Sequence, residues 1–290
     1  MRSSNPVFSR EGSFTRDSGY AGFDAGPRSS AHADNPYAQQ APYAQQAPYG
    51  TQLTDQQLAE MYGAPSAGPL QTGRMTMDDV VARTALTLLT LVAAGTAAWF
   101  TVPVESYNVA VLVALAAFVV GLVITFKRSV SPPLILLYAG LEGFFLGALS
   151  KVFETLWPGI VIQAVLGTTA VFAATLIAYK SGRIRVTPRY AKIGISIAIG
   201  FVILLLVNSI AWAFGADLGL RSGPLGILVG LLGIALGAFF LTLDFNDIEG
   251  GIRGGAPQQE SWRAAFGLTL SLVWIYLEML RLIAILRGDD

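Results

Sequence analysis

The chain has 290 residues, 53% of them hydrophobic and 13% charged, with no net charge at pH 7 and no cysteine. Soluble domains carry about 25% charged residues, so a mean hydropathy of +0.55 together with this deficit marks a membrane protein. Neutrality removes the electrostatic footprint of a nucleic-acid partner, and the missing cysteines exclude disulfide frameworks, thiol catalysis and cysteine-ligated metals.

Residues 1–75 form a low-complexity region. The start, MRSSNPVFSREGSF, has no apolar h-region and is not a cleaved signal peptide. NPYAQQAPYAQQAPYG contains PYAQQA twice, followed by a degenerate copy. Pro, Gln, Gly and Ser cannot bury enough apolar surface to offset ordering entropy, so a disordered cytoplasmic tail is expected. Its tyrosines are candidate contacts for a protein partner, although a solvated tether is the simpler reading. TDQQLAEMYG can form a short helix capped by Thr54.

Residues 76–290 form the second domain and contain seven apolar segments, each near the roughly 20 residues that a helical span needs. The first covers about 80–102. It is entered by MTMDD, where Thr76 is a plausible N-cap and Asp78 and Asp79 suit a helix start. The others cover about 107–126, 132–149, 158–179, 193–214, 224–243 and 264–286. The third opens on two prolines, which the first turn of a helix tolerates because no partner is lost. In the sixth, Gly226, Gly230, Gly233 and Gly237 line one helix face and permit close backbone approach.

Basic residues set the orientation. Lys127, Arg128, Lys180, Arg183, Arg185, Arg189, Lys192, Arg253 and Arg263 follow the even-numbered segments, whereas only Lys151 and Arg221 follow the odd ones. This asymmetry expects a cytoplasmic N-terminus and, after seven spans, an external C-terminus. Arg281 and Arg287 near that outer end pull the other way, which a seventh segment that enters and returns would relieve.

Charges inside spans are costly, about 2.5–3.5 kcal/mol at a helix centre on insertion scales, so such residues usually face the protein interior and have partners. Glu142 lies within LYAGLEGFFLG of the third span, and Glu278 lies well inside the seventh. Glu278 and Arg281 share a helix face and can neutralise each other, with Arg281 snorkelling towards the interface. Asp244 reads as a residue ending the sixth span at the membrane surface, and Asp247 and Glu249 as solvated loop positions. Glu142, between Gly140 and Gly143, is expected to face another helix or a water-filled cavity.

Other chemistries fail on residue type. Counted from Asp244, the fifth position of a calcium loop is Ile248 and the twelfth is Gly255, where an EF-hand needs oxygen ligands. The sole histidine, His32, is in the tail, and neither HExxH nor a phosphate-binding loop occurs. The expectation is a non-enzymatic protein without a cofactor.

LEGFFLG in the third span, LDFNDI closing the sixth and IYLEMLRLIAIL in the seventh together resemble the Bax inhibitor family of transmembrane proteins. The resemblance covers about residues 75–287 and leaves the tail outside. It implies an all-α membrane fold, a seven-transmembrane-helix bundle whose seventh helix is central and wrapped by the other six. It also implies a pH-sensitive calcium leak channel in a plasma membrane, the inner membrane of a bacterium, with the lipid bilayer, calcium ions and protons as partners. In such members an acidic pair gates the pore. The span-six aspartate matches Asp244, in the pattern Asp-x-(Asn/Gln)-x-Ile, and the span-seven acid matches Glu278, where Asp is more usual. Arg281 beside Glu278, Glu142 at an acidic position of the third span, and Asp247 are candidates for tuning or for the ion pathway. Transient calcium binding at Asp244 and Glu278 is the metal expectation.

The physical basis of such a gate is that two carboxylates in a poorly solvated site cannot both ionise cheaply, so they share a proton. Losing it separates the helices and leaves oxygen ligands suited to a hard cation. The geometry is demanding. A straight seventh helix starting near residue 264 puts Glu278 about 21 Å deep at ~1.5 Å per residue, away from an Asp244 at the surface. Pairing requires the sixth span to run on to about residue 248, or the seventh to begin near 270. The family resemblance leaves a second function open, a regulatory protein that modulates a membrane protease or stress response through its tail.

Overall fold

The computed structural model describes residues 73–104, 107–216, 218–220 and 222–288. The short helix expected in TDQQLAEMYG and the rest of the tail lie outside the described residues. Among the described residues seven helices follow one another: α1 (Met77–Thr101), α2 (Tyr107–Phe126), α3 (Pro132–Leu156), α4 (Ile160–Lys180), α5 (Pro188–Ala213), α6 (Gly223–Arg253) and α7 (Glu260–Gly288). All seven contain a stretch long and apolar enough to cross a membrane. Leu112 and Phe118 of α2 and Trp212 of α5 are more than half exposed, a pattern that water would penalise and hydrocarbon rewards.

The helix starts follow their local chemistry. Thr76 caps α1 in a capping box: its hydroxyl accepts from the Asp79 backbone N–H at 3.1 Å, and the Asp79 carboxylate accepts from the Thr76 N–H at 3.2 Å. Ser131 precedes the two prolines in the first turn of α3, where a missing N–H leaves no helical bond unmade.

Helix α7 is the central element. Its backbone packs closely on α1, α3, α4 and α6, while α5 reaches it through a side chain and α2 shares an apolar cluster with it. Tyr138 of α3 meets Phe266 edge-on at 5.1 Å within a cluster that includes Ala117 of α2, and Phe201 of α5 lies 6.0 Å from the Trp274 ring. The helix is unbroken over 29 residues, so the chain does not turn back within it.

The ends of α6 and α7 differ from expectation. Helix α6 runs for 31 residues, about 46 Å at ~1.5 Å per residue, because the LDFNDIEGGIR segment continues the helix instead of ending it. Asp244 is therefore interior to a helix, and Asp247 and Glu249 are exposed helical residues, not loop residues. The segment holds two Asp, one Asn and two Gly, poor helix formers, so it is the packing of buried Phe245 and Ile248 that carries the helix on, where nothing in hydropathy marks its end.

Candidate functional site between helices six and seven

The seam between α6 and α7 combines glycines on one helix with large or polar side chains on the other. A methyl group placed on Gly233 would come within 2.6 Å of the Glu278 carboxyl carbon, and one on Gly237 within 2.4 Å of Ile275. Gly233 thus makes room for an acid inside the bundle. Its carbonyl also accepts from Trp274 Nε1 at 2.9 Å. The glycine face read from the sequence is therefore the docking face for α7.

Glu278 is buried, 7% exposed. Arg281 reaches it at 2.7 Å from one turn along the same helix, so the neutralising pair read from the spacing forms. An ion pair in this position limits the cost of burying each charge.

Asp244 has a different partner. Its Oδ2 accepts from the Ser271 hydroxyl at 2.6 Å, and Gly267 of α7 leaves space for its other oxygen. Ser271 and Glu278 lie on one face of α7, seven residues apart, about 10 Å at ~1.5 Å per residue. The structure consequently does not assemble Asp244 and Glu278 into a carboxylate pair. Antiparallel register is the cause: Gly233 sits level with Glu278, and Asp244 lies eleven residues, three turns, further along α6. Extending α6 brings Asp244 inside the bundle, but not to the level of Glu278.

Between the two polar levels the seam is apolar. Leu241 and Ile275 are both fully buried there, in one cluster with Phe245 and Leu268. A layer of this kind blocks ions and water by being dry.

The remaining expected residues lie around this seam. Asp247 is exposed one turn beyond Asp244, while Glu142 of α3 is half-buried. Glu142 has no hydrogen-bond or ion-pair partner among the described residues. No group of three or more His, Asp or Glu able to hold a metal ion occurs among the described residues.

Sequence reasoning missed three contributors. Ser271 was visible as a hydroxyl seven residues before Glu278 on the same helical face. Gly233 was seen as a packing residue, but not as the space for Glu278. The third is a clasp where α1 begins. Arg83 donates to the Ser261 hydroxyl and the Gln258 carbonyl, and Gln258 Nε2 donates to Asp79 at 2.8 Å. Met75 N–H and the Gly73 carbonyl bond to Ala256 and Gln258, both at 2.8 Å. The α6–α7 connection is thereby fastened to the entry of α1.

Six apolar helices around a central seventh, with acids held inside the bundle by protein partners, define an integral membrane protein of the polytopic helical class. The family model described as Bax inhibitor 1 like matches residues 5–288. The chain belongs to that family, and the match extends into the tail, which the sequence motifs had left outside. No curated protein and no solved structure matches the chain.

Proposed function

We propose that the protein is a pH-sensitive cation leak channel, with calcium as the cation, in which α6 and α7 form the gate. The observation that carries this reading is the seam itself, where Asp244 and Glu278 are held on either side of the Leu241–Ile275 layer. The gate expected from the sequence, one proton shared between the two acids, is replaced by two separate polar stations. Ionised Asp244 has a single hydroxyl partner, and an ion held against an apolar layer favours any conformation that admits water. Ionisation at higher pH therefore opens the seam, and protonation closes it. Once wet, the two carboxylates offer the oxygen ligands that a hard cation requires.

The excess of basic residues after even-numbered helices supports a cytoplasmic N-terminus; the membrane assigned in this reading is a plasma membrane, the inner membrane of a bacterium. The residue types at the seam support transport rather than enzymatic catalysis.

Calcium flux into proteoliposomes, measured against pH, tests the proposal. Flux is expected to rise with pH in the wild type, and Asp244→Asn is expected to flatten that rise. Glu278→Gln is expected to shift it, because Arg281 is then left as an uncompensated cation on the path. Flux that ignores pH and both substitutions sinks the proposal. Deleting residues 1–70 separates this reading from a regulatory protein acting through its tail, since a channel keeps its flux.

A further inference from the structure

A cavity of about 690 Å³ runs between α1 and α4, away from the acids of the α6–α7 seam. No close backbone contact joins α1 to α4 among the described residues. The floor between them is formed by α3 and α7, where Ser150 and Tyr276 are hydrogen-bonded at 2.6 Å. Val92 and Phe100 on one rim and Val165 on the other are 60%, 79% and 49% exposed. Both walls are membrane-spanning helices, so the groove opens sideways into hydrocarbon and not into water. From Thr84 to Phe100 it extends along sixteen residues of α1, about 24 Å at ~1.5 Å per residue. One leaflet of a bilayer core is about 15 Å thick.

The hydroxyls of the lining are mostly occupied by their own helices. Thr96 donates to the Val92 carbonyl, Thr168 to that of Ala164 and Thr169 to that of Val165, each at 2.8 Å. These threonines thus present methyl groups beside Leu88 and Phe172, a surface that suits an alkyl chain. The exception stands at one end. The buried Thr84 hydroxyl has no hydrogen-bond partner among the described residues. Beyond the same end of the groove, α4 closes on Lys180, followed by Arg183 and Arg185, all exposed. Of the acids on that side, Glu249 is engaged by Tyr179 and Arg253 and Asp79 by Gln258 and Arg83, which leaves exposed Asp78 and Asp247 against three cations.

We propose that this groove is a binding site for one acyl chain of an anionic phospholipid, taken up sideways from the leaflet on the Lys180 side. The chain lies between α1 and α4 on the floor provided by α7, and the headgroup faces Lys180, Arg183 and Arg185. Anionic headgroups at such basic clusters gain from each nearby cation. This site is independent of the channel reading.

Native mass spectrometry of the full chain in detergent, titrated with phosphatidylglycerol or phosphatidylcholine, tests the site. One phosphatidylglycerol is expected to survive conditions that strip the remaining lipid, with phosphatidylcholine retained several-fold less. Thr168→Trp and Leu88→Trp, which fill the groove, are each expected to reduce retention at least fivefold. Leu112→Trp, on the lipid-facing side of α2, should leave it unchanged. Replacing Lys180, Arg183 and Arg185 by Gln should abolish the preference between the two lipids. Retention unaffected by filling the groove, or lowered equally by Leu112→Trp, overturns the site. Equal retention of the two lipids overturns the headgroup assignment.

Discussion

Two helix pairs in this bundle are built on glycine, and they use it differently. Between α1 and α3, Gly143 and Gly147 face backbone: an added methyl group would lie 2.1 Å from the Leu91 carbonyl oxygen and 2.0 Å from that of Gly95. Between α6 and α7 the glycines face side chains, namely Glu278, Ile275 and Leu282. Backbone cannot rotate away, so the first contact is a rigid clamp. Side chains can change rotamer, so the second seam can hold ionisable groups and move. The lesson is that a small-residue stripe defines a close approach, while the atoms opposite it decide whether the contact is static or adaptable.

The largest effect that probes this contrast is expected from the adaptable seam's charges. Arg281→Leu leaves Glu278 buried without its cation and should cost about 3–5 kcal/mol of stability. The Glu278→Gln, Arg281→Leu double variant should recover most of that in a thermal-unfolding assay in detergent. If the double variant is no better than the single one, the ion pair does not govern burial of Glu278.

Gly147→Ala comes next. Its methyl group meets backbone, so overpacking should cost about 3 kcal/mol, the upper part of the usual range, with a clear loss of folded protein on size-exclusion chromatography. Gly233→Ala meets the flexible end of Glu278 instead, and about 1–2 kcal/mol is expected. Equal melting temperatures for these two glycine variants would falsify the distinction between clamp and seam.

Ser271→Ala should have the smallest effect on folding, about 1 kcal/mol from one lost hydrogen bond. Its informative readout is flux. Without the hydroxyl, Asp244 loses its partner in the closed seam, and the pH at which flux rises should move. An unchanged profile removes Ser271 from the gate.

Much of the architecture was legible in the chain. Seven apolar runs, the Thr76 cap, the prolines opening α3 and the glycine face of α6 each follow from local chemistry, and each is present. The Glu278–Arg281 pair was legible as well, because three residues along one helix fix its geometry without any tertiary information. LEGFFLG showed its acid plainly. That its Gly143 and Gly147 form the clamp against α1 was less apparent, because a four-residue glycine spacing does not name the helix it packs on.

Long-range register lay beyond such reading. A motif match paired Asp244 with Glu278, yet their relative height depends on where α6 ends and how it slides against α7. Hydropathy is silent once a helix leaves the membrane, and so the polar continuation through LDFNDIEGG passed for a terminus. By itself the sequence determined a membrane-embedded seven-helix chain with acids in its sixth and seventh helices, because helical periodicity and the cost of charge in hydrocarbon act locally. Only the tertiary structure decided that Asp244 meets Ser271 while Glu278 meets Gly233, with Leu241 and Ile275 between them, because antiparallel packing sets register through shape complementarity over the whole seam.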